Sequence, residues 1–171
     1  AFSDWMKSAE ASEDPCFYAI ITPQEGRAVG QASFMRIDPG NGVIEIGHIL
    51  LTPALQRSRE AGAALMGMIQ WAFENGYRRV EWKCNALNLP SRRAAMRLGF
   101  SYEGTFRQHL IIKGRNRDTA WFAITDGDWQ ALSGAYADWL SPDNFGPDGS
   151  QRRSLSDLTG AALPGRTDPG I

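Results

Sequence analysis

The sequence predicts a mixed α/β protein with a mainly antiparallel central sheet and crossover helices. Three observations predict it. The chain opens with short apolar runs separated by tight turns. Its apolar period then lengthens from about two residues to the helical spacing. Strand and helix patterns alternate thereafter and close on a hairpin. The 171 residues suit one domain, and an apolar fraction of 43% is ordinary for a globular core.

The elements follow in order. Phe2 to Glu13 reads as the end of a helix. Phe17 to Ile21 is a short apolar strand, and Thr22 to Gly26 a turn by composition. Ala28 to Ile37 is a second strand, Asp38 to Gly42 another turn, and Val43 to Leu51 the third strand. Such short connections imply an antiparallel meander. From Glu60 the apolar residues Ala61, Leu65, Met68, Ile69, Ala72 and Phe73 fall on one helical face, and Asn75-Gly76 stops the helix.

Arg78 to Cys84 alternates as a half-buried strand, with Val80, Trp82 and Cys84 on one side. Pro90 opens the next helix, where its missing N–H does no harm, and Gly99 ends it. Tyr102–Ile112 and Asp118–Thr125 are strands around a hairpin at Lys113 to Arg117. Trp129, Leu132, Tyr136, Trp139 and Leu140 form an amphipathic stripe, which suits packing on the sheet or a homodimer surface. Ser141 to Ile171 is rich in Gly, Pro, Ser and Asp, so a mostly irregular tail is expected, with a helical turn near Ser154–Leu163. Residues 1–125 are expected to form the core, and 126–171 a helix and tail packed on it.

Composition excludes some functions. The net charge is −1, so the basic footprint of a nucleic-acid binder is missing. No segment has the roughly 18 apolar residues of a membrane span. Cys16 and Cys84 suggest no disulfide framework, and no signal peptide is visible, so a reduced, cytoplasmic protein is expected. With only His48 and His109 as histidines, no metal site is expected.

The run from Val43 to Phe100 is the most informative. A strand feeds the loop Gln56-Arg57-Ser58-Arg59-Glu60-Ala61-Gly62, which opens a helix, and a second strand and helix follow. A helix start of this kind can hold a phosphate-bearing ligand. At Gln56–Gly62, and at Asn88, Ser91 and Leu98-Gly99-Phe100, the chain resembles the GNAT superfamily of acetyl-CoA-dependent N-acetyltransferases. The resemblance covers roughly residues 17 to 125. Within the superfamily it is closest to the branch that includes ribosomal-protein N-terminal acetyltransferases. The loop departs from the family at Arg59, where Gly is usual, and Ala63 stands where the branch often has Glu. The family's first strand and first helix are not evident before Phe17. Either N-terminal elements are missing or the acceptor wall is built differently.

The resemblance implies a GNAT-like fold, acetyl-CoA as cosubstrate, no metal, and acetyl transfer to a primary amine by direct attack in a ternary complex. The acceptor would be a small molecule or a peptide N-terminus. A CoA-binding regulatory or scaffold protein without turnover is the alternative, favoured by Ala63 and by Ala95 or Met96 where the family often has a tyrosine acid. Gln56, Arg57, Ser58, Arg59, Glu60, Ala61 and Gly62 would cradle the pyrophosphate with backbone N–H groups. Asn88 would bind the pantetheine amides, or else act as a turn or cap residue. Ser91 would reach the sulfur end, or else cap its helix.

An amine must lose a proton before it attacks, and free α-amino groups have pKa values of about 7.7–8.0. Glu45 is the first candidate base, directly or through water, and His48 the second. On a regular strand these two face opposite sides; a bulge near Gly47 would change that. Backbone N–H groups near Ile49, Leu50 and Leu51 would meet the oxyanion.

Overall fold

The computed structural model describes residues 2–23 and 26–171. The chain forms two compact units, Ala1–Val80 and Glu81–Ile171.

The first unit begins with helix α1 (Phe2–Glu10). Strands β1 (Cys16–Ile21), β2 (Ala28–Asp38) and β3 (Val43–Leu51) follow, and helix α2 (Arg59–Glu74) closes the unit. β2 pairs antiparallel with both β1 and β3, which is the expected meander. The turn expected at Thr22–Gly26 includes Gln24 and Glu25, which lie outside the described residues; the Gly26 N–H donates to Thr22 O across it. On one sheet face Phe34 stacks near Trp71 of α2, with 5.0 Å between ring centroids. Ala61, Leu65, Met66, Ile69 and Ala72 are the buried stripe of α2. A smaller apolar cluster of Val29, Leu55 and Ala61, with Ile20 and Leu51 against it, ties the β3–α2 turn to the sheet.

The pairing of β2 with β3 slips twice. Between Gln31 and Ser33 the partners run from Leu50 to Gly47, so β3 carries one extra residue there. Between Met35 and Asp38 the extra residue is on β2. Both bulges contain a left-handed residue, His48 at φ 48° and Arg36 at φ 48°.

The second unit takes up β4, which runs Arg79–Asn85, and continues with helix α3 (Leu89–Arg97). Strands β5 (Ser101–Ile112) and β6 (Arg115–Thr125) form an antiparallel hairpin, in the strand order β4-β6-β5. The hairpin is tighter than the sequence suggests. Lys113 and Gly114, at φ 50° and 72°, make a two-residue turn, so Arg115 to Arg117 belong to β6.

Helix α4 (Asp126–Leu140) starts with a reciprocal cap between Thr125 and Asp128. Three residues of its stripe, Leu132, Tyr136 and Trp139, are buried. Helix α5 (Leu155–Ala162) realises the helical turn expected near Ser154–Leu163. The remaining tail is irregular, as its composition predicts, but it is pinned. Arg166 Nη1 donates to Phe100 O at 2.8 Å and to Met96 O at 3.2 Å, while Tyr136 Oη donates to Leu98 O at 2.5 Å. These donors fix carbonyls at and just beyond the end of α3.

Candidate active site

In the first unit the expected site residues fall on one strand, one turn and one helix start. Glu45 lies opposite Met35 and Gly47 opposite Ser33, so the side chains of Ser33, Met35 and Glu45 share a face. Its carboxylate is buried, with Oε2 held by Arg36 Nη1 at 2.5 Å. Arg36 reaches it from the β2 bulge, whose Arg36 and Ile37 N–H groups donate to the Asp14 carboxylate at 2.8 and 3.1 Å.

His48 occupies the expected bulge. Its Nδ1 lies 3.0 Å from Ser33 Oγ, and its ring centroid is 5.1 Å from that of Phe17, the pairing partner of Ser33. The extra residue therefore turns the imidazole to the Glu45 face. The bulge sits at His48 rather than at Gly47 itself. A Cβ at Gly47 would collide with Met35 Sδ, so the Met35 side chain would have to shift. His48 is an exposed residue. Gln31 Nε2 donates to His48 O at 3.3 Å, which anchors the bulge.

β3 ends at Leu51, and the chain turns at once into α2. Gln56 clasps the turn: its N–H donates to Thr52 O at 3.0 Å and its Nε2 to Leu51 O at 3.1 Å. Ser58 is the N-cap, with Oγ accepting from Ala61 N at 3.0 Å. Gly62 N donates to Ser58 O. Among the described residues, the N–H groups of Arg57 and Glu60 make no such bond. They are the donors that the turn leaves for an anion. The left-handed residue of the turn is Arg57, at φ 62°. Arg59 is already the first residue of α2, so a side chain in place of the usual Gly costs no backbone strain there.

Ile49, Leu50 and Leu51 close β3, with Leu50 and Leu51 opposite Gln31 and Gly30. Gly30 leaves room for them: a Cβ would lie 2.9 Å from Leu50 O.

In the second unit Asn88 is the N-cap of α3, its Oδ1 accepting from Ser91 N at 3.2 Å. Ser91 Oγ accepts from Trp82 Nε1 at 3.0 Å and lies beside the Cys84 thiol. That leaves the serine proton to donate. Burial pushes the Cys84 thiol up, so it is not a nucleophile near neutral pH.

Sequence reasoning missed Arg36, the ion-pair partner of Glu45, because only the second bulge brings it there. It also missed Ser33, which orients His48. Among the described residues no group of three His, Cys, Asp or Glu side chains is placed to hold a metal ion. No helix among them is long and apolar enough to cross a membrane.

A family model described as an acetyltransferase (GNAT) domain matches residues 1–101. An uncharacterized N-acetyltransferase, p20 of Bacillus licheniformis, is 30% identical over 108 residues, covering 63% of this chain. The match spans 60% of that relative's own length. A solved GCN5-related N-acetyltransferase from Brucella melitensis is 48% identical, with a TM-score of 0.90 over 92% of this chain and 72% of that one. A solved probable acetyltransferase of the GNAT family from Chromobacterium violaceum is 41% identical, with a TM-score of 0.72 over 76% and 66% of the two chains.

Proposed function

Because this chain belongs to the GNAT acetyltransferase family, we propose that it binds acetyl-CoA and transfers the acetyl group to a primary amine by direct attack. One observation carries the proposal. The strand that bears Glu45 and His48 leads without interruption into a turn and a capped helix start that presents backbone N–H donors. On this reading the base and the anion cradle belong to one continuous strand–turn–helix segment.

In the proposed reaction, the amine nitrogen forms a bond to the acetyl carbonyl carbon and its proton passes to a base on β3. Glu45 takes that proton through water, since its carboxylate is buried beside Arg36. His48, oriented by Ser33, is the alternative base. Backbone N–H groups of Ile49 to Leu51 meet the oxyanion, and collapse breaks the carbon–sulfur bond. Ser91, which already accepts from Trp82 Nε1, donates a hydrogen bond to the departing thiolate and keeps its own proton, and the thiolate takes its proton from solvent. Arg57 and Glu60 N–H groups hold the pyrophosphate, and Asn88 the pantetheine amides.

The likeness to the ribosomal-protein N-terminal branch favours a peptide α-amine as one acceptor class, and small amines are the other. Both cysteines are free thiols, which suits a cytoplasmic setting. Residues 1–125 are the proposed transferase core. Ala95 and Met96, standing where the family often has a tyrosine acid, favour a second reading, a CoA-binding protein without turnover. An amine panel followed by thiol release separates the two. Release with any primary amine supports the transferase; tight acetyl-CoA binding with no release from any amine supports the second reading.

A further inference from the structure

Within the second unit, residues 159–168 grip α3 at both of its ends. At the C-terminal end, Arg166 Nη1 donates to Met96 O and Phe100 O, and Thr159 Oγ1 donates to Arg97 O at 3.2 Å. At the N-terminal end, the Asp168 carboxylate takes the Arg92 guanidinium in a two-point fork. The helix between these grips has nine residues, a length of about 13 Å. Its N-terminal end carries Asn88 and Ser91, the two residues of this unit proposed to meet acyl-CoA.

The loop before α3 is held by polar ties rather than by packing. Leu87, Asn88, Leu89 and Pro90 are all exposed, Leu87 at 87%. Ala86 N donates to Asp118 O at 2.9 Å, Leu87 N to Asn85 Oδ1 at 2.9 Å and Asn88 N to Asn85 O at 2.8 Å. Arg92 adds the tie from the far side: its Nη1 donates to Ala86 O. One buried guanidinium therefore joins the tail, the first turn of α3 and the loop that presents Asn88. A buried ion pair is a poor way to gain stability, because an apolar pair of similar volume often does as well. What the planar fork supplies is a fixed register between the groups that it joins.

We propose that docking of the tail is coupled to acyl-CoA binding: Asp168, acting through Arg92, is a positioning residue that holds the loop 85–88 where Asn88 can meet the pantetheine amides. The identity of the ligand rests on the transferase reading. Coupling of this kind is reciprocal, so acyl-CoA fastens the tail by the same factor by which the docked tail tightens acyl-CoA. Arg166, at the other end of α3, holds the helix but has no share in that coupling.

The test separates positioning from stability alone. Acetyl-CoA is titrated into wild-type protein, Asp168→Asn and Arg166→Met at a temperature where melting curves show all three folded. The expected result is an affinity about fivefold to a hundredfold weaker in Asp168→Asn. Arg166→Met should bind as wild type does, although it too lowers the melting midpoint. Hydrogen exchange gives a second readout. The amides of residues 86–91 should exchange faster in Asp168→Asn and not in Arg166→Met. In wild-type protein acetyl-CoA should slow exchange at Gly170 and Ile171, whose N–H groups donate to Asp168. Should Asp168→Asn not fold, Arg92→Lys takes its place, since it keeps a cation but loses the fork. Equal affinity in wild type and Asp168→Asn overturns the proposal. So does an equal loss in both variants, which would mark general destabilisation. If wild-type protein binds no acetyl-CoA, the transferase reading fails and the coupling with it. The exchange comparison then still decides whether Asp168 positions the loop: unchanged rates at residues 86–91 refute it.

Discussion

Arg92 grips the carboxylate of Asp168 at two points across 76 residues of sequence: Nε donates to Oδ2 at 2.8 Å, and Nη2 to Oδ1. Both residues are buried, and Arg92 Nη1 also donates to Ala86 O at 2.9 Å. The tail is thereby fastened to the loop that leads into α3, the loop that carries Asn88. The approach is close enough that a Cβ on Gly170 would collide with the guanidinium.

Breaking this tie from one side leaves an uncompensated buried charge. Asp168→Ala is expected to destabilise the protein by about 3–5 kcal/mol. Thermal melting at pH 7 checks it; an unchanged midpoint would show that the pair contributes nothing. The pH dependence has a definite sign. Burial is the largest single influence and opposes the charge on Asp168, but the Arg92 hydrogen bond, the Gly170 N–H and the Arg92 charge together outweigh it and hold the carboxyl below its usual range. A folded-state pKa below the unfolded value of about 3.9 means that the stabilisation is whole above that pH and disappears as pH falls through the folded value. The difference in melting midpoint between wild type and Asp168→Asn should therefore be constant from pH 5 to 8 and shrink below about pH 4. A difference that grows on acidification would contradict the assignment.

The base on β3 is tested by its pH–rate profile. Glu45→Gln should lower kcat more at pH 7 than at pH 9, because at high pH the amine needs less help to lose its proton. If the profile is unchanged and His48→Gln instead removes the limb near neutrality, the proton goes to His48.

Arg57 occupies a left-handed conformation that a side chain adopts at a cost of about 1 kcal/mol. Arg57→Gly should hold or raise the denaturation midpoint, whereas Ser58→Ala should lower stability by about 1 kcal/mol through the lost cap. Equilibrium urea unfolding reads both. A large loss from Arg57→Gly would mean that its side chain, not its backbone, matters to the fold.

Gly99 turns the chain at the end of α3 with φ 99°, and a Cβ there would lie 2.6 Å from Leu132 Cδ2. Gly99→Ala adds strain to a clash inside the core, so a loss of about 2 kcal/mol or more is expected in the same unfolding assay. A neutral result would show that Leu132 yields freely.

Much of the fold was legible because periodicity reports burial directly. The alternation of Val80, Trp82 and Cys84 and the stripe from Ala61 to Ala72 follow from which face meets the core. Asn88 was readable as a turn or cap residue since capping is local chemistry. The site was less legible. A bulge at His48 changes which way a side chain points without changing any residue type, and the Arg36–Glu45 pair exists only because a second bulge lies across the sheet. The tail looked unstructured because Gly, Pro and Asp bury little apolar area; its order comes from Asp168 and Arg166, two charged residues with partners far away in sequence.

Calorimetric titration with acetyl-CoA, with CoA as the comparison, tests the central claim most directly. Dissociation in the micromolar range, about −8 kcal/mol, is predicted, with Asn88→Ala binding more weakly than wild type. No heat with either ligand would mean that the turn at Arg57 to Glu60 is not an anion cradle, and it would contradict the account.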